Sequence, residues 1–172
     1  MTLRLILMRH TKSDWQDATL SDHDRPLNAR GRHAAQLLGE WLHSRGYQPD
    51  QVLCSDALRT RQTWAGLAAS ALGGQASVQV LPALYNANPD QIWGTITPQT
   101  AQTLMVVAHN PGIAELATRL LAHPPRSTEF AHYPTGATTV LEFSANKWAD
   151  ATPSTASLLD FVMPRALETP QD

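Results

Sequence analysis

Short apolar runs alternate with segments of helical periodicity along most of this chain, and that alternation limits what it can fold into more than any other feature. Residues 3–8 (LRLILM), 51–55 (QVLCS), 103–108 (TLMVVA) and 138–143 (TTVLEF) read as strands, with further candidates at 78–84 (VQVLPAL) and 158–164 (LLDFVMP). Nearly continuous apolar runs of this length are the pattern of strands buried on both faces. Between them, Ala34, Leu37, Leu38, Trp41 and Leu42 recur at i, i+3, i+4, i+7 and i+8. Trp64, Leu67, Ala68, Ala71 and Leu72 repeat that facial spacing, as do Ile113, Leu116, Ala117, Leu120 and Leu121. Terminator and cap residues agree. Asn28 is placed to cap the first helix and Gly46 to end it; Ser55 or Asp56 caps the second, which Gly73-Gly74 ends. Asn88-Pro89 opens a short helix, and Asn110 as N-cap with Pro111 at N1 opens another. The expected fold is α/β, a three-layer sandwich with a largely parallel central sheet flanked by helices. With 172 residues and neither an internal repeat nor a low-complexity linker, a single domain over 1–172 is the simplest organisation.

The net charge of −2 excludes a broad basic surface for nucleic acid or membrane, so positive potential has to come from arginines placed together locally. Cys54 is the one cysteine, which excludes an intramolecular disulfide and a cysteine metal cluster. The opening residues MTLRLILMRH are cut by Arg4 and Arg9 and are followed by no small-residue cleavage site, so they read as a strand and not as a signal peptide. No run approaches the ~20 apolar residues of a spanning helix. The expected compartment is the cytoplasm.

In open α/β sheets, ligands bind beyond the carboxyl ends of the strands. Three of the strand-like runs lead into RHTKS, SDALRTR and HNPG. If those strands are neighbours, Arg9, His10, Arg59 and His109 converge. Two arginines and two histidines without an adjacent acidic cluster make a poor divalent-metal site and a good oxyanion site. The guanidinium fork matches phosphate geometry, and helix N-termini near Ser55 and Asn110 would add N–H donors. The target is therefore a phosphoryl group, with no metal or cofactor. A free imidazole titrates near ~6.5, and guanidinium neighbours should lower that value and keep the ring neutral and nucleophilic. His10, beside Arg9, is the candidate nucleophile. His109 would stabilise charge on the transferring oxygens or position the group. Lys12, Ser13 and Arg25 are candidate phosphate or rim contacts.

LMRHTKS, SDALRTRQT and VAHNPG together resemble the histidine phosphatase superfamily, in the branch shared with cofactor-dependent phosphoglycerate mutases. DHDRPLNARGR, PALYNA, YPTGAT and MPRAL are more narrowly similar to SixA-type phosphohistidine phosphatases. The resemblance runs from Leu5 to Leu167 and implies a phosphoglycerate mutase-like fold. It implies that His10 is transiently phosphorylated, that Arg9 and Arg59 hold the phosphoryl group, and that His109 completes the pocket. It also implies a metal-free, two-step hydrolysis, with Thr135 and Gly136 lining the pocket. Thr11 stands where many relatives have glycine, and Gln16 where many have a phosphate-contacting asparagine.

A larger departure lies at LPALYNANP. Mutase-like and ester-hydrolysing relatives place a glutamate general acid there, whereas this chain offers Tyr85 and Asn86. An alkoxide leaving group needs a proton donor, while imidazole leaving from a phosphoramidate is readily protonated near neutral pH. The missing glutamate therefore favours phosphohistidine on a signalling or carrier protein as the substrate, with Asp22 and Asp24 as fallback acids. The alternatives are a phosphomonoesterase of small phosphorylated metabolites and a non-catalytic phosphate-binding module.

A cysteine-dependent phosphatase needs C-x5-R, but Arg59 and Arg61 follow Cys54 with four and six intervening residues, so Cys54 reads as a small buried hydrophobe. His33 and His43 fall on the polar side of a helix, and His23, His123 and His132 in or near loops. Of these, His132 lies nearest a candidate pocket segment. Trp15, in the long polar connection 11–27, is the tryptophan placed to meet a ligand.

Overall fold

The computed structural model describes residues 1–72 and 74–168, so Gly73 of the expected helix terminator lies outside the described residues. Six strands form one sheet: β1 (Leu3–Arg9), β2 (Gln51–Ser55), β3 (Ser77–Leu81), β4 (Thr103–Ala108), β5 (Thr138–Phe143) and β6 (Ser157–Val162). Their order is β3-β2-β4-β1-β5-β6. β1, β2, β3 and β4 pair in parallel, while β5 runs antiparallel to both its neighbours. The sheet is thus largely parallel, as the sequence predicts.

Helices α1 (Ala29–Ser44) and α2 (Leu58–Leu67) cover one face, and α3 (Pro89–Ile96), α4 (Gly112–Leu120) and α5 (Thr128–His132) the other; α6 (Pro164–Leu167) closes the chain of elements. The two-residue period of a strand explains why one β1 serves both layers. Leu3, Leu5 and Leu7 enter the core beneath α3 and α4, and Ile6 and Met8 enter the core beneath α1 and α2. All five are buried.

The helix boundaries show which local signals held. Asn28 caps α1 by accepting from Gly31 N–H at 2.8 Å, and Gly46 follows its C-cap with φ +72°, the left-handed region glycine tolerates. Asn88 and Gln91 form a capping box on α3. Two expectations fail. The residue before α2 is Ala57, which has no side chain to cap with, and Ser55 Oγ instead accepts weakly from Ala57 N–H at 3.4 Å. At α4 the N-cap is Pro111, and the preceding Asn110 turns its side chain away to donate to the carbonyls of His132 and Tyr133 at 3.0 and 2.9 Å. The third strand also stops at Leu81, and Pro82–Leu84 form a 3-10 turn.

The connection 11–27 is fastened at both ends. Ser13 bridges Leu27, Asp14 N–H donates to Pro26 O at 2.8 Å, and Asp22–Asp24 form a 3-10 turn between them. This brings Asp22 and Arg25 back over the sheet end from which the connection starts.

Candidate active site

β2, β4 and β1 are consecutive in the sheet, so the three motif-bearing ends lie side by side. Arg9 pairs with Ala108, which puts His10 and His109 one residue past matched positions. Their rings lie 5.4 Å apart between centroids. Arg59, in the first turn of α2, reaches between them, with Nε 3.3 Å from His10 Nε2 and an Nη2 3.3 Å from His109 Nδ1. The four residues predicted to converge do so, at the floor of a cavity of about 500 Å³.

Hydrogen-bond partners fix the state of each ring. His10 Nδ1 lies 2.7 Å from Thr11 O. A carbonyl only accepts, so Nδ1 carries the proton and Nε2 keeps its lone pair, on the side from which Arg59 donates. His109 Nδ1 faces a guanidinium, which only donates, so its proton sits on Nε2 and goes to Ser55 Oγ at 2.7 Å. Ser55 is fully buried at the end of β2 and was not legible as a site residue. Its pairing with His109 spans a sequence separation of 54.

Burial holds His10 down to about 3, reinforced by the Arg59 and Arg9 guanidiniums and by His109 once that ring is itself protonated, while the Thr11 carbonyl acts in the opposite direction. His109 is lowered to about 4, first by burial and then by Arg59. The guanidinium charges expected to lower both rings are the lesser cause. Desolvation is the larger cause, because leaving water penalises the charged ring directly. Both imidazoles are therefore neutral in the free protein across the physiological range. In a histidine-selective NMR titration, their ring shifts should stay flat from pH 8 to pH 5. An inflection near ~6.5 on either ring, the value of a free imidazole, would contradict this.

Arg9 spends one donor on Tyr133 O at 3.2 Å, and its Nε is buried without a partner. Its Nη2 makes no bond among the described residues, which leaves a donor for an anion in the cavity that Arg9 lines. Arg25, Arg59 and Lys12 line the same cavity, against one carboxylate, Asp22. The cavity is thus strongly positive in a chain of net charge −2. Among the described residues, no group of three or more His, Cys, Asp or Glu side chains is placed to hold a metal ion.

Asp22 sits at the centre of the wall. One carboxylate oxygen accepts from Arg25 Nε and Nη2 at 3.2 and 2.9 Å; the other accepts from Arg59 at 3.0 Å and from the Tyr85 hydroxyl. The Asp22 carbonyl takes a further bond from Arg59 at 2.6 Å. The Tyr85 hydroxyl above all, then Arg25 and Arg59, hold the carboxyl well below the usual carboxylate range. The Asp22 carboxylate in turn raises Tyr85. Asp22 is therefore an ionised anchor for two guanidiniums and has no proton to give, which corrects its place as a fallback acid. Asp24 is exposed, bonds Ser21 Oγ at 3.0 Å and does not line the cavity.

Among the other predicted contacts, Ser13, Arg25 and Thr135 line the cavity. Ser13 Oγ accepts from Arg25 at 2.6 Å, and Arg25 stacks on Trp15 with its guanidinium carbon 3.4 Å from the ring centroid. Gln16 is exposed in the outer part of the loop and does not line the cavity, because an Asx turn at Asp14 accepting from Gln16 N–H leads the chain outward. Gly136 is buried below the wall; with φ +77° it donates to the carbonyls of Arg9 and His10, so it shapes the strand end and does not line the cavity. Thr11, in place of the glycine of many relatives, is buried and bonded through its hydroxyl to Thr63 at 3.2 Å. Asn86, Asn110 and Pro134 complete the lining. Cys54 is buried, which pushes its thiol up to about 12 and fits an inert core residue. His132 faces a neighbouring groove and not this cavity.

Chemically, a neutral imidazole with an unprotonated Nε2, held by a weak bond from Arg59 Nε in a positive, partly desolvated cavity, is suited to accept a phosphoryl group. Comparison with known proteins agrees. The family model of the histidine phosphatase superfamily (branch 1) matches residues 5–102. An uncharacterised protein of Mycobacterium tuberculosis is 37% identical over 165 residues, which cover 92% of this chain and 100% of that protein. A solved structure from Nakamurella multipartitia, of a protein provisionally named phosphohistidine phosphatase SixA, matches with a TM-score of 0.81 at 32% identity, over 95% of this chain and 97% of that one. The phosphoglycerate mutase of Plasmodium falciparum matches with a TM-score of 0.63 at 18% identity, over 93% and 90% of the two chains, and shows the same fold. Fold, motifs and site geometry agree with these comparisons: the chain belongs to the histidine phosphatase superfamily, branch 1.

Proposed function

We propose that this protein is a metal-independent phosphatase that takes a phosphoryl group onto His10 Nε2 and passes it to water, with phosphohistidine on a signalling or carrier protein as its substrate. In the first step the Nε2 lone pair attacks phosphorus as the P–N bond to the substrate imidazole breaks. The bonding pair returns to the leaving nitrogen, which is protonated from solvent. In the second step water attacks the phosphorus on His10, releasing inorganic phosphate and restoring the neutral ring. Arg9 and Arg59 would hold the equatorial oxygens, His109 would position the Arg59 guanidinium through the lone pair of Nδ1, and Arg25 would hold the outer edge of the group.

The observation that carries the substrate class is the state of Asp22 and Tyr85. Tyr85 stands in the segment where mutase-like relatives carry the acidic glutamate, and it bonds Asp22, the one carboxylate lining the cavity; the carboxyl is held ionised, and the phenol is committed to it. A site without a proton donor suits a leaving group that needs none from the protein. The likeness to a protein provisionally named a phosphohistidine phosphatase supports the same reading.

The test compares phosphate release from a histidine-phosphorylated protein domain and from an alkyl ester such as glycerol phosphate. The expected kcat/KM ratio favours phosphohistidine by about 100-fold or more, on the scale of a missing general acid. Comparable rates on the two substrates, with a loss in Asp22→Asn confined to the ester, would instead assign an acid to Asp22 and a small phosphomonoester as substrate.

A further inference from the structure

A second cavity of about 500 Å³ lies beside the first, and Lys12, Pro134 and Thr135 line both. Its floor is apolar, formed by Ala34 of α1 and by Met163 and Pro164 at the start of α6. Arg30, Glu129, Arg165 and Glu168 stand around it, all exposed, and none of the four side chains has a hydrogen-bond or ion-pair partner among the described residues. The groove is held in a fixed relation to the site. A Cβ on Gly136 would lie 2.5 Å from Pro164 Cγ, so only glycine lets α6 sit this close, and the same Gly136 N–H is bonded to the carbonyls of Arg9 and His10.

The first cavity already has the volume of a small-ligand pocket. A phosphorylated metabolite would therefore leave the groove unused, whereas a phosphohistidine borne on a polypeptide cannot avoid its surroundings. On a helix, residues one turn from it stand only ~5–6 Å away, and the groove shares the wall of Lys12, Pro134 and Thr135 with the site. An apolar floor inside a charged rim is the anatomy of a protein-recognition patch. Lys12, Arg30 and Arg165 outnumber the carboxylates Glu129 and Glu168 around the groove, which favours an acidic neighbour.

We propose that this groove docks the polypeptide flanking the phosphohistidine, seating an apolar side chain on Ala34, Met163 and Pro164 and an acidic one against Arg30 and Arg165. The inference rests on the phosphohistidine reading and adds to it a recognition surface separate from the chemistry.

Charge reversal tests it. Arg30→Glu and Arg165→Glu, singly and combined, are assayed on a helical domain phosphorylated on a surface histidine with acidic and apolar neighbours. The same domain with its acidic neighbours changed to lysine, and free phosphohistidine, serve as the other two substrates. The double variant should raise KM for the acidic domain about tenfold with little change in kcat, and leave both parameters for free phosphohistidine within about twofold, a rim-charge effect of ordinary size. It should also narrow or invert the wild-type preference for the acidic domain over its lysine twin. Equal losses on the domain and on free phosphohistidine would overturn the proposal, as would no loss on either. So would a change of mass in sedimentation, which would give the groove to a second copy of the chain. Wild-type protein that hydrolyses glycerol phosphate but none of the three phosphohistidine substrates would overturn the parent reading together with this one. Wild-type protein that hydrolyses free phosphohistidine as efficiently as either domain would overturn only the groove.

Discussion

His10→Ala is expected to lower kcat/KM by about four orders of magnitude or more, the scale on which loss of a nucleophile acts, while leaving inorganic phosphate bound. The two effects separate because the lone pair and the anion cradle belong to different residues. His10 supplies Nε2, whereas the cavity charge comes from Arg9, Arg25, Arg59 and Lys12. Phosphate affinity by calorimetry should therefore stay within about tenfold of wild type, that is, within ~1.4 kcal/mol. The variant should also change the pH dependence of stability. The folded His10 stays neutral down to about 3, whereas an unfolded imidazole takes up a proton near ~6.5. Between those values the unfolded chain binds the extra proton, so wild-type stability falls as pH drops through this window. Without His10 that loss shrinks, and the difference in Tm between pH 7.5 and pH 5 should be smaller in His10→Ala than in wild type. An equal or larger difference would contradict the buried neutral ring.

Arg59→Ala is expected to cost about three orders of magnitude in kcat/KM. One guanidinium joins the whole site: it donates to His10 Nε2, to His109 Nδ1, to the Asp22 carbonyl and to the Asp22 carboxylate. Removing a single preorganised donor at a developing charge costs about 10²–10³ in rate, and here the loss also frees Asp22 to turn its negative charge toward the phosphoryl group. Both kcat and KM should worsen, unlike the His10 variant. Arg59→Lys should recover less than about tenfold, since an ammonium is a point charge and cannot span two rings and a carboxylate at once. Near-wild-type activity in Arg59→Lys would show that charge alone suffices and that the bridging geometry is incidental. Removing the positive neighbour should also raise the His109 titration, because Arg59 is the largest cause of its lowering after burial.

How far the sequence could be read depended on how local each signal was. The convergence of Arg9, His10, Arg59 and His109 was legible because each lies within a few residues of a strand end, and parallel strands deliver such ends to one edge. Asn28, Gly46 and the Asn88 capping box were legible for the same reason. What escaped was long-range. Nothing near Asp22 in the chain announces Arg59, which is 37 residues away, or Tyr85, which is 63 away, so an anchored carboxylate read as a free acid. Ser55 read as a helix cap because its partner His109 lies on another strand. Asn110 read as a cap until its amide met the α5 carbonyls. The cause of the lowered imidazoles was also mistaken, since neighbouring charges can be counted in a sequence and desolvation cannot.

The account stands or falls on a covalent phosphohistidine at His10. The most direct measurement mixes the protein with a 32P-phosphohistidine-bearing domain, quenches within milliseconds without acid, and maps the label by alkaline proteolysis. The account predicts alkali-stable label on the peptide containing His10, appearing before inorganic phosphate and absent from His10→Ala. Phosphate released at full rate with no label on the chain at any time would contradict it, because water would then be attacking the substrate directly. Binding of the domain with neither label nor release would leave only a phosphate-binding module.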